Sequence, residues 1–312
     1  MKKRVRFEGW VVLMLVVSQP VLVAQVGVGA GAVGVGGVSL GLQDRVWAVW
    51  NDPTQMLDST DYIRVNQLNN QISRKASYHG VGFLIHQPYQ LQSLQEHRLA
   101  YVLPYPSKLA LGFGFYDSGD ERMRHSIIRF AFARAWPMLK VGLATDIQRM
   151  GFSRPYSSLF AFSFNLSLQT RISQTLSIHH SIDNLARGHW RSTESRIYKN
   201  QSRLQRLPIR LKTSLRHHPA NPNTPISYMQ FEWEEAYPIT LRLAQEWTAW
   251  QSTHVHNALR LQLRSGVSLL PLRYYSGIGI FRNQLSVHIA LYTHPHLGWS
   301  PALDLQFRVP ND

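Results

Sequence analysis

The segment Ser158–Gln169 reads SLFAFSFNLSLQ, and from Phe160 onward its large apolar residues alternate with small or polar ones. One set comprises Phe160, Phe162, Phe164, Leu166 and Leu168, and the other comprises Ala161, Ser163, Asn165, Ser167 and Gln169. Successive side chains of a β-strand point to opposite faces, so a period of two predicts a strand with one apolar face.

The same alternation recurs along most of the chain. It is clear in residues 109–116, 259–264 and 301–309, and it is visible near residues 126–135, 139–147, 171–181, 207–216, 226–234, 239–248, 274–281 and 285–292. With two less regular segments, 75–86 and 97–103, this makes about fourteen strands, an even number typical of bacterial outer-membrane barrels. Short connections between them predict antiparallel hairpins. Residues 182–206 and 217–225 are predicted to be longer loops on one rim.

Two fold classes share this pattern, because a soluble β-sandwich also alternates with its apolar face turned inward. Three features favour a transmembrane antiparallel β-barrel over residues 58–312. The first is an export signal, and the second is a set of polar faces rich in small residues. The third is a set of aromatic residues near predicted strand ends, where girdles contact lipid headgroups: Trp136, Tyr156, Trp233, Tyr237, Trp247, Trp250, Tyr274, Tyr275, Tyr292 and Trp299.

The N-terminus is predicted to be a cleavable signal peptide, residues 1–24. A basic stretch, MKKRVRFE, precedes the apolar run WVVLMLVV, and Pro20 follows it. This is the order of an export signal, and the apolar run is short for a membrane-spanning helix. We therefore expect export and a location in the cell outer membrane.

Residues 25–57, hereafter the plug segment, are rich in glycine. Gly29, Gly31 and Gly34 have the G-x-G-x-x-G spacing of dinucleotide-binding sites. That site needs a buried strand before the glycines and a helix after them. Here the preceding strand would lie in the predicted signal peptide, and further glycines at 36 and 37 disfavour a helix. The glycines fit close backbone packing better than nucleotide binding.

Composition limits the partners. The chain has 312 residues, no cysteine and a formal net charge of +15. Without disulfides, an exported chain must be held together by strand pairing and burial. The positive charge favours anionic neighbours, namely outer-membrane phospholipid and lipopolysaccharide or an acidic partner protein. Nucleic acid is the least expected neighbour of an exported protein.

Two parts of the chain resemble a known family. The stretch GVSLGLQDRVWAVWNDPTQM resembles the N-terminal signature of PorV/PorQ-like outer-membrane proteins of Bacteroidetes type, which are relatives of the FadL-like transporters. The matching residues are Trp50, Asn51 and Pro53, with Asp52 inserted. Near the C-terminus, His294, Pro295, Leu297 and Gly298 resemble the family's last hairpin turn. The resemblance implies a fourteen-stranded barrel with the plug segment in or across its lumen.

Catalytic and metal-binding chemistry is not indicated. Histidines occur in pairs at 179–180 and 217–218 and with one-residue spacing at 254–256 and 294–296, without a third ligand at a fixed spacing. No Ser/His/Asp set can be singled out among the many serines and histidines. We predict no enzymatic activity, no cofactor and no metal site.

Charged residues are predicted to line the lumen if the apolar faces contact lipid. These candidate lumen charges are Glu232, Glu234, Arg242, Glu246, Arg260 and Arg264. Unpaired charge in a confined space is costly, so we expect internal ion pairs that fill the barrel. The alternative is a cationic path or pocket for an anionic ligand.

Three functions remain. The first, favoured by the polar and small inward residues, is a scaffold for protein secretion or surface attachment that binds secretion-system subunits or exported cargo. The second is a FadL-like transporter of small hydrophobic molecules, which should have an apolar pocket beside its plug and a lateral opening at a kinked strand. The third is a soluble basic binding protein.

Overall fold

The computed structural model describes residues 28–42, 44–57, 78–105, 108–154, 158–192, 206–221, 224–252, 259–294 and 297–310. The predicted signal peptide lies outside these residues, so it stays a prediction. The division into signal peptide, plug segment and barrel at residues 24 and 57 likewise remains a prediction.

Fourteen long antiparallel strands form a closed barrel. They are β1 (Tyr78–His86), β2 (Glu96–Tyr105), β3 (Leu109–Gly119), β4 (Met123–Ala135), β5 (Leu139–Phe152), β6 (Leu159–Arg171), β7 (Leu176–Asp183), β8 (Arg210–His217), β9 (Ile226–Glu234), β10 (Thr240–Gln251), β11 (Leu259–Leu269), β12 (Arg273–Arg282), β13 (Leu285–His294) and β14 (Gly298–Pro310). Each pairs with its neighbours in the chain, and β1 pairs with β14 to close the sheet. The predicted all-β, fourteen-stranded barrel is confirmed.

The apolar rows face outward. Phe162 and Phe164 in β6 are 57% and 51% exposed, whereas Ser163 and Ser167 between and beyond them are 2% and 3% exposed. A soluble sandwich would bury its phenylalanines in a sealed interior and expose its serines. The observed orientation is that of a barrel with lipid outside and a polar lumen.

The two ends of the barrel differ. The terminal rim is the end where β1 begins and β14 ends, and the loop rim is the opposite end. Consecutive strands run in opposite directions, so the connection 184–209 begins and ends at the loop rim and the connection 218–225 begins and ends at the terminal rim. The prediction that both loops share one rim is wrong. Outer-membrane barrels carry short periplasmic turns and longer extracellular loops, which indicates that the loop rim faces the cell exterior.

The aromatic residues near strand ends mostly face outward, with Trp136, Trp250 and Trp299 at least 44% exposed. Tyr275 and Tyr292 are exceptions, because they are 5% and 2% exposed and stack on each other inside the lumen with ring centroids 5.4 Å apart. Their assignment to a lipid girdle is wrong. Both residues occupy alternate positions of their strands that face the lumen. This orientation decides what their side chains contact, even though they lie near strand ends.

In the part of the chain that the structure describes, the helices are all short. The plug segment contains α1 (Ala30–Gly34), α2 (Ala48–Asn51) and a 3₁₀ turn, Pro53–Leu57, while the β1–β2 connection contains two more 3₁₀ turns, Pro88–Gln90 and Gln92–Leu94. Among the described residues, no helix is both long and apolar enough to cross a bilayer.

The strand ladder is interrupted along one edge of β6. Strand β7 pairs only with Leu166–Arg171, and nearer the loop rim β6 pairs with a two-residue strand, Arg191–Ser192, through Leu159 and Phe160. Between these pairings the Phe164 carbonyl accepts a hydrogen bond from Leu185 N, at 2.8 Å. The connection after β7 thus covers the half of this β6 edge that is nearer the loop rim. Along the other half, β6 pairs with the barrel strand β7.

Candidate functional site: the occupied lumen

The lumen contains the plug segment. Of its described residues, 28–42 and 44–57, all except Arg45 and Leu57 are buried. The barrel wall makes room for this backbone with small inward-facing residues, which include Ala100, Gly112, Ala131, Gly142 and Ala144. Small residues let one backbone approach another closely, so the wall is shaped to hold a chain.

Two close backbone approaches join glycines of the plug segment to glycines of the wall. A Cβ added to Gly266 in β11 would lie 2.5 Å from Gly36 N and 2.6 Å from Gly36 Cα. A Cβ added to Gly277 in β12 would lie 2.9 Å from Gly34 Cα. Because backbone atoms cannot rotate away as side chains do, any larger residue at these positions must displace the plug segment. The G-x-G-x-x-G glycine Gly34 therefore makes a packing contact.

A Gly266→Leu substitution is expected to displace residues 34–37 from the wall. The outward face of β11 is unchanged by it, so the barrel itself should still form. Hydrogen exchange of the amides in residues 28–42 should become faster, because their burial and hydrogen bonds depend on this contact.

Gly151→Leu is the matched control, because a Cβ at Gly151 would meet nothing nearer than Arg124 O at 3.7 Å. Gly151 lies on the outward-facing parity of β5, where leucine suits lipid. Unchanged exchange in Gly266→Leu would show that the glycine contact does not hold the plug segment.

The predicted turn motif Trp50, Asn51 and Pro53 is buried at the wall. The Asn51 side chain accepts a hydrogen bond from Val28 N and donates one to Val28 O, both at 2.6 Å, which ties the two ends of the described plug segment together. Trp50 Nε1 donates to Leu99 O at 3.2 Å, and Arg129 NH1 donates to Trp50 O at 2.7 Å. Pro53 begins the 3₁₀ turn. These contacts anchor the motif to β2 and β4.

The inserted residue Asp52 makes the contact that the sequence did not indicate. Its Oδ1 accepts hydrogen bonds from Thr54 N and Thr54 Oγ1, and its Oδ2 lies 3.0 Å from His179 Nδ1 in β7. His179 is fully buried. One member of the predicted rim histidine pair 179–180 is therefore a lumen residue that binds the plug segment. The alternation around residues 171–181 could have predicted this inward position. His179 is two residues from Ser177 and two from Ser181, so all three lie on the same face of the strand.

A second polar contact holds α1. It is formed by Asp44, Asp304 and Gln306, hereafter called the acid latch. Asp304 Oδ2 accepts hydrogen bonds from Ala30 N at 2.6 Å and Gly31 N at 3.3 Å. The Gln306 amide donates to both carboxylates, at 3.1 Å each.

The acid latch lies beside His288, and ligand atoms of His288, Asp44 and Asp304 fall within 4.8 Å of one another. This spacing suits a metal ion, but Arg264 NH1 donates to His288 Nδ1 at 3.1 Å. A guanidinium beside these ligand atoms repels a cation and occupies the histidine lone pair. The donor set therefore fits a latch for the α1 backbone better than a metal site.

The candidate lumen charges all lie on inward-facing positions. Glu232, Glu234, Arg242, Glu246 and Arg264 are at most 6% exposed, whereas Arg260 is half-buried and stacks over the Phe281 ring at 4.2 Å. Arg242 pairs with Glu232 at 2.9 Å, and Arg264 pairs with Glu246 at 2.7 Å.

One central member of this network was absent from the predicted set. Arg210 in β8 pairs with Glu234 at 2.7 Å and with Glu232 at 3.3 Å. A further pair, Arg129 and Asp146, joins β4 and β5. Arg210, Arg129 and Asp146 all occupy inward-facing alternate positions of strands that the sequence predicted. The period of two alone could therefore have indicated them.

The C-terminal turn residues lie at the loop rim. His294 ends β13, Leu297 is exposed, and Gly298 begins β14 with a φ of +84°, a conformation that favours glycine. Pro295 lies outside the described residues. The His294 ring contacts the Tyr89 ring edge-on, with centroids 5.6 Å apart, so this turn packs against the β1–β2 connection.

Comparison with solved structures identifies the fold. The CymD monoaromatic hydrocarbon channel matches with 12% identity and a TM-score of 0.58, over 92% of this chain and 98% of that one. The toluene transporter TbuX of Ralstonia pickettii matches with 10% identity and a TM-score of 0.54, over 92% and 100%. The toluene transporter TodX of Pseudomonas putida matches with 9% identity and a TM-score of 0.51, over 91% and 97%.

These neighbours are outer-membrane channels of the FadL type, so the FadL-like part of the sequence resemblance is supported at the level of fold. The PorV/PorQ part is not addressed by them. No protein-family profile matches the chain, and no curated protein sequence matches it. The fold and the apolar outer surface place the protein in the outer membrane.

Proposed function

We propose that this protein is a non-enzymatic, FadL-like channel that passes small hydrophobic molecules across the outer membrane. The observation that carries the proposal is the likeness of its barrel to three hydrocarbon channels over more than nine-tenths of the chain. At 9–12% identity this likeness concerns the fold alone, so the substrate class is the proposed step.

The occupied lumen limits how such a channel can work. The plug segment fills the space between the walls, and the surrounding arginine–carboxylate pairs offer no apolar surface to a hydrocarbon. An apolar molecule gains free energy by leaving water for lipid, but the apolar residues inside this lumen are already packed against one another and the remaining lining is charged. Passage therefore requires displacement of the plug segment and an exit through the wall.

The interrupted ladder of β6 is the exit that we favour. Phe162 and Phe164 face outward there, and the segment that covers this edge of β6 belongs to a loop. A loop that pairs through few backbone hydrogen bonds opens at lower cost than a strand held by a full ladder. An apolar solute leaving between β6 and this loop would enter the lipid beside two phenylalanine rings.

The secretion-scaffold interpretation gains no support from the comparisons. A filled lumen agrees with a scaffold and equally with a channel in its closed state, so it does not separate the two functions. Transport of a hydrocarbon does separate them.

Uptake of radiolabelled toluene is the test. Gram-negative cells without a hydrocarbon channel of their own should take up toluene faster when they carry this protein. The Asp117→Asn variant is a suitable control, because it removes a partly exposed ion pair with Arg124 at the loop rim, away from the lumen. Equal initial rates with and without correctly folded protein in the outer membrane would contradict the channel and favour the scaffold.

A further inference from the structure

A cavity of about 320 Å³ opens at the loop rim, just inside the barrel wall. The turns that follow β9 and β11 form its apolar side, through Tyr237, Pro238, Leu270 and Pro271. Its polar side is formed by Glu232 and Glu234 at the end of β9. This volume lies at the small end of ligand pockets, which run from roughly 300 to 1,000 Å³ and combine apolar walls with few polar groups.

Two carboxylate oxygens of the residues that line this cavity have no hydrogen-bond partner in the described part of the chain, Glu232 Oε2 and Glu234 Oε1. Glu232 Oε2 still has an ion pair with Arg242, at 2.9 Å, so Glu234 Oε1 is the one with neither. Glu234 is 4% exposed, and its Oε2 accepts hydrogen bonds from Arg210 Nε and NH2 at 2.9 and 2.7 Å. Its Oε1 is buried and has no hydrogen-bond partner among the residues that the structure describes. A buried carboxylate oxygen is costly to leave unsatisfied, so a hydrogen-bond donor that reaches Glu234 Oε1 from the cavity would be stabilised.

The charges around Glu234 decide which kind of donor fits. Arg210 contacts both glutamates, and Arg242 pairs with Glu232. Arg210 also lies 3.9 Å from Asp183, which pairs with Lys212 at 2.8 Å. Three carboxylates thus face three cationic groups, and the cluster is neutral without a ligand. An added cation would lie close to Arg210 with no surplus negative charge to compensate it. A neutral O–H or N–H group avoids this repulsion.

The apolar side of the cavity determines which non-polar part of a ligand fits. Leu270 is 64% exposed, and Tyr237 is 37% exposed. Burial together with the nearby Glu234 carboxylate raises the pKa of the Tyr237 phenol, so this ring stays uncharged at neutral pH. A flat or compact apolar body can rest against these side chains and the two prolines while its polar end points towards Glu234.

We propose that this cavity binds small single-ring molecules that carry one neutral hydrogen-bond donor, such as phenols or ring alcohols. Binding at the exterior rim would collect the solute before it enters the lumen. That role as an entrance rests on the proposed channel function, whereas binding itself does not.

Binding of p-cresol and toluene to the purified barrel in detergent tests the proposal. The two probes share a ring and a methyl group and differ by one hydroxyl. Isothermal titration calorimetry should give p-cresol an affinity at least about tenfold higher, as expected for one hydrogen bond to a charged group. Equal affinities would overturn the proposal, and so would tighter binding of the benzylammonium cation.

Variants distinguish the polar and apolar sides. Glu234→Leu should abolish the preference for p-cresol, while Arg210 keeps its contact with Glu232. Leu270→Ala, at an exposed turn, should weaken both probes alike. Asp117→Asn at the same rim should change neither. A preference that survives Glu234→Leu would overturn the assignment of the acceptor, and unchanged affinities in Leu270→Ala would overturn the apolar wall.

The binding result and the uptake result are separable. Faster toluene uptake together with no p-cresol preference would leave the channel function standing and remove this site. A p-cresol preference lost in Glu234→Leu, together with no toluene uptake, would establish the site and remove the channel.

Discussion

Oxidation of a Val46→Cys/Gly80→Cys variant is expected to stop toluene uptake, and reduction is expected to restore it. A Cβ built on Gly80 in β1 lies 3.9 Å from the Val46 Cβ in the plug segment. Cβ atoms joined by a disulfide are about 3.5–4.5 Å apart, so this pair can be bridged without moving the backbone far. If passage requires the plug segment to leave the wall, a covalent bond to β1 prevents it.

The chain suits this experiment because it has no cysteine of its own, so the two introduced thiols have no competing partner. The two single-cysteine variants are the controls. Gly80→Cys alone is the stricter one, since its Cβ would lie 2.7 Å from Val46 Cγ2 and any strain from this contact would appear without a crosslink. Unchanged uptake in a sample whose crosslink is verified by mass spectrometry would mean that passage does not need movement of the plug segment.

Deletion of residues 28–57 is expected to have the opposite effect and to turn a closed barrel into an open pore. Among the residues that the structure describes, the deleted ones supply the backbone that fills the lumen, and the wall opposite them is lined by alanine and glycine. With the segment gone, the space should fill with water, as in porins. Planar bilayer recordings should then show sustained ion conductance, which the full-length protein should lack.

The deletion is informative only if the barrel still forms. Strand pairing and outward lipid contact do not involve residues 28–57, so the variant should keep the heat-modifiable migration of a folded barrel. The released partners Asp304, His179 and Arg129 would be hydrated instead of left buried without their contacts. A folded deletion variant that stays non-conducting would show that other parts of the chain close the lumen.

The sequence alone determined the wall of this protein. A period of two places Phe162 and Phe164 on one face and Ser163 on the other whatever the strand packs against, because the pleat is a local property of the backbone. The number of strands and their antiparallel order followed from repeated alternation and short connections. The inward position of Glu232, Arg242 and Arg264 followed from the same parity.

The contacts between residues inside that wall could not be read from the sequence, because they depend on the tertiary fold. Asp52 and His179 are 127 positions apart, and Ala30 and Asp304 are 274 positions apart. No local pattern joins such residues, because barrel closure and insertion of the plug segment set these distances. Tyr275 and Tyr292 show the same limit. Their proximity to strand ends predicted contact with lipid headgroups, but both side chains face the lumen and stack on each other. The cavity beside Glu234 likewise needs the turns of two hairpins, which lie side by side once β10 pairs with β11.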